Sequence, residues 1–142
     1  MIDRPVVALQ KVGGTEIAAL VGAILEASDN NIAVLVDGFI VTTAAMIACQ
    51  MNPNASRVLF FATKSTEQGQ TVAMETIQNI ASDNQVPAPT KPALDMHLRM
   101  GEGTGALMAV PLIKSAVTVL SNLATLDEVL NLASEKEDDP VC

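Results

Sequence analysis

Three features of the sequence predict an α/β fold with parallel strands. Two strand, turn and helix units follow each other along the chain. The hydrophobic fraction is 49% but aromatics are only 2%, with no Trp or Tyr, so the interior must be built from Ala, Val, Ile, Leu and Met, which suits helices packed closely on a sheet. The strands are also too few. Two of them stand against about five or six helical segments, and apolar strands left with unpaired edges are a hazard for a complete sheet, so the pattern reads as a piece of a larger α/β domain.

Taken in order, Met1 to Lys11 shows no clear period. After Gly13-Gly14-Thr15, the residues Ile17, Leu20, Val21, Ile24 and Leu25 recur at the spacing of one helical face, with Thr15 placed to cap that helix. A polar break at Ser28 to Asn31 leads into Ile32-Ala33-Val34-Leu35-Val36, an apolar, β-branched run expected as a strand covered on both faces. Asp37-Gly38 ends it. Ile40 to Met51 then reads as a helix stopped by Asn52-Pro53-Asn54.

The pattern repeats with Arg57 to Ala62 as a strand and about Glu67 to Ala81 as a helix. Ser82 to Pro92 carries three prolines and reads as an exposed loop. Ala93 to Arg99 is expected to be a short helix. Thr104 to Leu120 is a long apolar helix that Pro111 should kink or restart. Thr125-Leu126-Asp127-Glu128 has the form of a capping box, and the acids from Glu135 to Asp139 read as a solvated tail.

At 142 residues the chain has the length of one domain, and it divides into residues 1–126 and a terminal helix with acidic tail over 127–142. The formal net charge of −8 and the scattered basic residues disfavour nucleic acid and anionic membranes as partners. Cys49 and Cys142 have no metal-type spacing, and Cys49 lies in an apolar segment, as a small core residue in a reducing compartment would. The longest early apolar run, Ile17 to Leu25, is nine residues, so a secreted or membrane-spanning chain is not expected and the cytoplasm is.

Ligands of open α/β sheets bind outside the carboxyl ends of the strands, where Asp37-Gly38 and Thr63 to Ser65 fall. An ordinary strand-to-helix turn is the simpler account of Asp37-Gly38. Ser65-x-x-Gln68 fits a capping box, and the same geometry, with Lys64 beside it, suits a phosphate. The segment Arg99-Met100-Gly101-Glu102-Gly103-Thr104-Gly105-Ala106 sets one carboxylate among glycines that allow positive φ and a close ligand approach. A loop before a helix with an incidental acid looks the same. Its glycine spacing does not fit a dinucleotide fingerprint. His97, the single histidine, has no partner motif for metal binding or nucleophilic catalysis and is expected on a helix surface.

Four segments together carry a resemblance: Gly13-Gly14-Thr15-Glu16-Ile17-Ala18, Val36-Asp37-Gly38-Phe39, Ser65-Thr66-Glu67-Gln68-Gly69, and Leu98 to Ala106. In order and content they are similar to the nicotinate-nucleotide:dimethylbenzimidazole phosphoribosyltransferase family, from about Val12 to Leu126. The resemblance implies a Rossmann-like parallel sheet with flanking helices, usually in a homodimer, and a reaction that makes α-ribazole phosphate for the lower ligand of cobalamin. No metal or cofactor is implied. Glu102 matches the general base that takes a proton from a benzimidazole nitrogen while the other nitrogen attacks the ribose carbon of nicotinate mononucleotide. Its neighbours Leu98 and Met100 are expected to keep water from that carboxylate and strengthen it as a base. By the same matching, Glu16, Gly38 and Ser65 contact ribose or phosphate and Met100 packs near the ring. The family enzyme is much longer, so this chain resembles its C-terminal portion, and an N-terminal half is an implied partner.

Overall fold

The computed structural model describes residues 4–99 and 101–130. By its internal contacts the chain forms two units, Met1–Val110 and Pro111–Cys142. In the first unit the helical stretch starts earlier than the periodicity suggests. Helix α1 (Pro5–Ala8) opens with its proline at the first turn, where a missing N–H costs nothing, and continues through a π-helical turn, Leu9–Gly13, into α2 (Gly14–Asp29). The N-cap position of α2 is Gly13 and no side chain caps it, so Thr15 does not have the capping role expected of it. The predicted apolar face does point inward. Val21 and Ile24 are buried, and Ile17, Leu20 and Leu25 pack against the same core.

Strand β1 (Val34–Val36) and strand β2 (Leu59–Phe61) pair in parallel, with Val34 opposite Leu59 and Val36 opposite Phe61. Both are shorter than the apolar runs that predict them. Helix α3 (Phe39–Met51) and a 3-10 turn, Pro53–Val58, make the crossover between them, and that turn takes the first residues of the expected second strand. Parallel strands need such a crossover. Helix α3 packs against both α2 and α4 (Gln68–Asp83). Its small residues permit that double contact, since Ala44, Ala45, Ala48 and Cys49 are all fully buried. Burial also pushes the Cys49 thiol up to about 12, which leaves it protonated and chemically quiet at neutral pH, in keeping with a core residue.

The segment expected as a short helix, Ala93 to Arg99, is not helical. The Ala93 N–H donates to Phe61 O at 2.8 Å and Leu94 N–H to Ala62 O at 2.9 Å, and Thr63 and Leu94 form a parallel bridge. The free edge of β2 offered unpaired backbone groups, and satisfying them outweighs a weak helical preference between Pro92 and the glycine loop. His97 accordingly lies in a non-helical stretch, exposed and in left-handed backbone at a φ of 51°, and not on the expected helix. Among the described residues no strand pairs with the other edge of β1.

Covering on both faces is incomplete. Val36 and Phe61 are buried, but Leu35 is half-buried and Phe60 is 42% exposed. Two helical stretches, Pro5–Asp29 and Thr104–Asn122, are long and apolar enough to cross a membrane by length and composition, and in each only 11% of the most apolar part is buried. Breaks in the apolar pattern hid the first of these from a simple run count. The same properties belong to helices whose apolar faces dock on another polypeptide.

Helix α5 (Thr104–Asn122) contains Pro111 without interruption, and its start buries Gly105 and Ala109 within the first unit. In the second unit, Thr125 and Glu128 form the expected capping box ahead of a helical stretch over 126–130. The Thr125 N–H and hydroxyl both donate to Glu128 Oε2, at 2.7 and 3.0 Å, and the Glu128 N–H donates to Thr125 Oγ1 at 3.3 Å. The acidic tail lies outside the described residues, as does Cys142.

Candidate active site

The carboxyl ends of β1 and β2 open into a cleft of about 650 Å³ within the first unit. Asp37 follows β1 directly and is only 6% exposed. A buried carboxylate needs hydrogen-bond donors, and it finds them in the glycine loop. Gly103 N–H donates to Asp37 Oδ2 and Ala106 N–H to Asp37 Oδ1, both at 3.0 Å. These are free N–H groups at the start of α5, so Asp37 caps a helix that begins more than sixty residues later. On the other side the Thr63 hydroxyl donates to Asp37 O at 3.0 Å, which ties the ends of the two strands together.

Gly105 completes that junction. A Cβ there would collide with Thr63 Oγ1 and Asp37 Oδ1, so the helix approaches the strand ends only because the side chain is absent. Glu102 sits just before this anchor with a φ of 62°, followed by Gly103 at 83°. Left-handed backbone at a non-glycine residue is costly and persists where the surroundings hold it. Here the hydrogen bonds from Gly103 and Ala106 to Asp37 do so. Glu102 lines the cleft but is exposed, so the apolar shielding expected for its carboxylate is not provided by the described residues of this chain.

The opposite wall is the turn between β2 and α4. Gln70 is 2% exposed and makes three contacts with the site's framework: its Nε2 donates to Thr63 O at 2.9 Å and to Thr42 Oγ1 at 3.5 Å, and its Oε1 accepts from Ser65 N–H at 2.6 Å. The Thr42 hydroxyl donates in turn to Gly38 O at 2.7 Å. The capping box predicted for Ser65 and Gln68 is therefore not formed. The residue that reaches back to Ser65 N–H is Gln70, and Ser65 Oγ accepts from Glu67 N–H at 3.1 Å. The helix begins at Gln68 with Glu67 at its N-cap, two residues later than the expected pairing requires. Phe39 packs across the gap against Gly69, where a Cβ would strike its ring.

Glu16, Gly38, Ser65 and Glu102 all line this one cleft, although 86 positions separate the first from the last. Glu16 reaches it from the first turn of α2 and Gly38 from the N-cap of α3. Met100 falls outside the described residues. Sequence reasoning read Asp37 as a ligand turn and missed its bonds to the glycine loop, and it missed Gln70. For Gln70 a signal existed, since it shares a helical face with Ala73, Met74 and Ile77, all buried, and a polar residue on such a face marks a built-in hydrogen-bond partner. For the reach of Asp37 no local signal exists.

Lys64 and Arg99 are the cations among the lining residues, against the carboxylates of Glu16, Asp37, Glu67 and Glu102. Lys64 Nζ pairs with Asp95 Oδ2 at 2.9 Å on the surface. The Lys64 ammonium holds the Asp95 carboxyl below the usual carboxylate range.

Comparison with known proteins shows the family and the fold. Residues 2–129 match the family described as Phosphoribosyltransferase. The chain belongs to the nicotinate-nucleotide:dimethylbenzimidazole phosphoribosyltransferase family. Over 126 residues it is 44% identical to a protein of that name from Citrifermentans bemidjiense, a match that covers 89% of this chain and 33% of the relative. A second relative of the same name, from Geobacter sulfurreducens, is 41% identical over 87% of this chain and 32% of its own length. The crystal structure of the phosphoribosyltransferase of this name from Thermus thermophilus superposes with a TM-score of 0.73 at 34% identity, over 88% of this chain and 34% of that one. The chain thus spans about a third of the length of the relatives it matches. A shortage of strands is what a third of a larger α/β domain presents.

Proposed function

We propose that the cleft is the nucleotide side of a site that transfers phosphoribose from nicotinate mononucleotide to dimethylbenzimidazole, giving α-ribazole phosphate and nicotinate. The observation that carries this reading is the position of Glu102, on a strained loop held by Asp37 and facing two strand-end turns across one cleft. The mononucleotide lies along the turns at Gly38 and Ser65, where the first N–H groups of α3 and α4 suit its phosphate, with Glu16 toward the ribose. Glu102 accepts the proton from one benzimidazole nitrogen. The other nitrogen forms the new bond to the ribose carbon as the bond to nicotinate breaks, and that electron pair stays on the departing ring nitrogen. The anomeric configuration inverts. By the family resemblance Met100, two residues before Glu102 in the chain, is the residue assigned to the flat ring.

The exposure of Glu102 means that a further surface must cover it before it works as a base in a dry site. A polypeptide corresponding to the rest of the relatives' length supplies that surface in this reading, and the open apolar faces of α2 and α5 are where a second chain or a second copy in a homodimer seats. Neither a metal nor nucleic acid nor a membrane takes part, and the reaction belongs to the cytoplasmic assembly of cobalamin. Residues 1–126 form the phosphoribosyltransferase part and residues 127–142 a terminal extension. The same exposure also supports a second reading, a non-catalytic dimerisation or regulatory module of the family.

Purified chain supplied with both substrates, with and without a polypeptide corresponding to the remainder of a relative, separates the two. Turnover that appears only with the second polypeptide supports the split site; absence in both cases favours the module. In the active assembly Glu102→Gln should lower turnover by about 100-fold or more with mononucleotide binding retained. Wild-type rates in that variant would remove Glu102 from the mechanism.

A further inference from the structure

The cleft poses an electrostatic problem for the proposed mononucleotide. Its lining carries four carboxylates and two cations, whereas a phosphate monoester brings close to two further negative charges at neutral pH. Lys64 is placed to offset them. Its own N–H donates to Leu94 O at 2.8 Å, and the next N–H, that of Ser65, donates to buried Gln70 at 2.6 Å. The backbone that carries Lys64 is therefore fixed beside the turn at Ser65, and only its long side chain is free to swing. That side chain now holds Asp95 at 2.9 Å, with the two side chains 59% and 49% exposed. An ion pair so open to water is weak, and leaving it costs little.

We infer that Lys64 is the cation recruited by the phosphate of the bound mononucleotide, and that Asp95 competes with that phosphate for it. The inference rests on the mononucleotide reading above. Asp95 acts as a storage partner: it keeps the ammonium close to the cleft in the empty state and releases it to the ligand. An asparagine in its place would leave Lys64 free to turn inward, and loss of Lys64 would leave the phosphate with helix N–H groups and Arg99, the other cation of the lining. The low proton affinity of Asp95 has Lys64 as its main cause, so capture of Lys64 by a phosphate should let that carboxyl return toward the usual range.

Calorimetric titration of the full chain with nicotinate mononucleotide, and separately with its phosphate-free riboside, tests this. Lys64→Gln should weaken the mononucleotide by about tenfold and leave the riboside unchanged, since a charged hydrogen bond is lost only where a phosphate is present. Asp95→Asn should tighten the mononucleotide by about twofold, and should do nothing in a chain that already carries Lys64→Gln. The Asp95 carboxyl, followed by NMR, should titrate at higher pH once mononucleotide is bound. Equal binding of mononucleotide by Lys64→Gln and wild type overturns the inference and leaves the mononucleotide reading standing, and so does an equal loss of the riboside, which would signal general damage. Wild-type chain that binds the riboside but gains nothing from the phosphate also overturns it. A wild-type chain that binds neither ligand, alone or with the second polypeptide present, removes the mononucleotide reading and the inference with it.

Discussion

Two helix starts in this protein solve one problem in opposite ways. The stretch at 126–130 is capped from within, by Thr125 and Glu128 bonding each other's backbone across three residues. Helix α5 is capped from a distance, by Asp37 at the end of β1, which accepts the N–H groups of Gly103 and Ala106. A local cap stabilises one helix and nothing else. A remote cap also fixes where that helix sits, and with it the loop that presents Glu102 to the cleft. Removal of the remote cap should therefore disturb the site, whereas loss of the local cap should disturb only its own turn.

Asp37→Ala is the most severe way to break this contrast. It leaves two backbone donors at the start of α5 without their partner and removes two hydrogen bonds to a carboxylate, so a loss of about 2–4 kcal/mol is expected. Denaturant unfolding measures the loss, and hydrogen exchange at Gly103 and Ala106 shows whether it falls on the loop. Asp37→Asn provides a milder version, because it keeps one acceptor and loses the other. Unchanged protection of both amides in these variants would mean that Asp37 does not hold the glycine loop.

Gly105→Ala is expected to cost less, about 1–3 kcal/mol, because overpacking displaces neighbours without removing their partners. The added methyl must push against Thr63 Oγ1 and Asp37 Oδ1, both committed to hydrogen bonds. The wall at Gln70 should stay intact, since its bonds to Thr63 O and Ser65 N–H do not involve the displaced atoms. Comparison of amide protection at Ser65 with that at Gly103 separates the two walls. Loss of protection at both would show that the cleft responds as one unit.

The same contrast explains what could be read from the sequence. The inward face of α2, the βα alternation and the Thr125–Glu128 box all depend on residues within a few positions of one another, and each is found in the structure. The motifs around Glu16, Gly38, Ser65 and Glu102 were legible as a set, and all four residues line one cleft. What escaped depends on partners distant in the chain. The extended segment at Leu94 is set by the open edge of β2, the position of Gln70 by the β2–α4 turn, and the bonds of Asp37 by a loop more than sixty residues ahead. A short helix at 93–99 was a fair local inference, but tertiary pairing supplied a better use for those backbone groups.

The smallest expected effect belongs to the local cap and appears as a pH dependence. Hydrogen bonds from the Thr125 N–H and hydroxyl to the Glu128 carboxylate hold its proton affinity below the usual glutamate range. A group whose pKa is depressed on folding contributes stability in full above its unfolded pKa, and that contribution fades as the pH falls through the lower, folded value. The capped turn at 126–130 should thus be intact at neutral pH and begin to fray only in acid, once Glu128 takes up a proton and can no longer accept both bonds. Backbone amide shifts at Thr125 and Glu128 should move together with the Glu128 carboxyl over that range, while those of Gly103 and Ala106 stay still. Titration of Glu128 at or above the ordinary glutamate value, or fraying that begins at neutral pH, would show that the cap is not closed in solution. Movement at Gly103 in step with Glu128 would mean that the two caps are coupled after all.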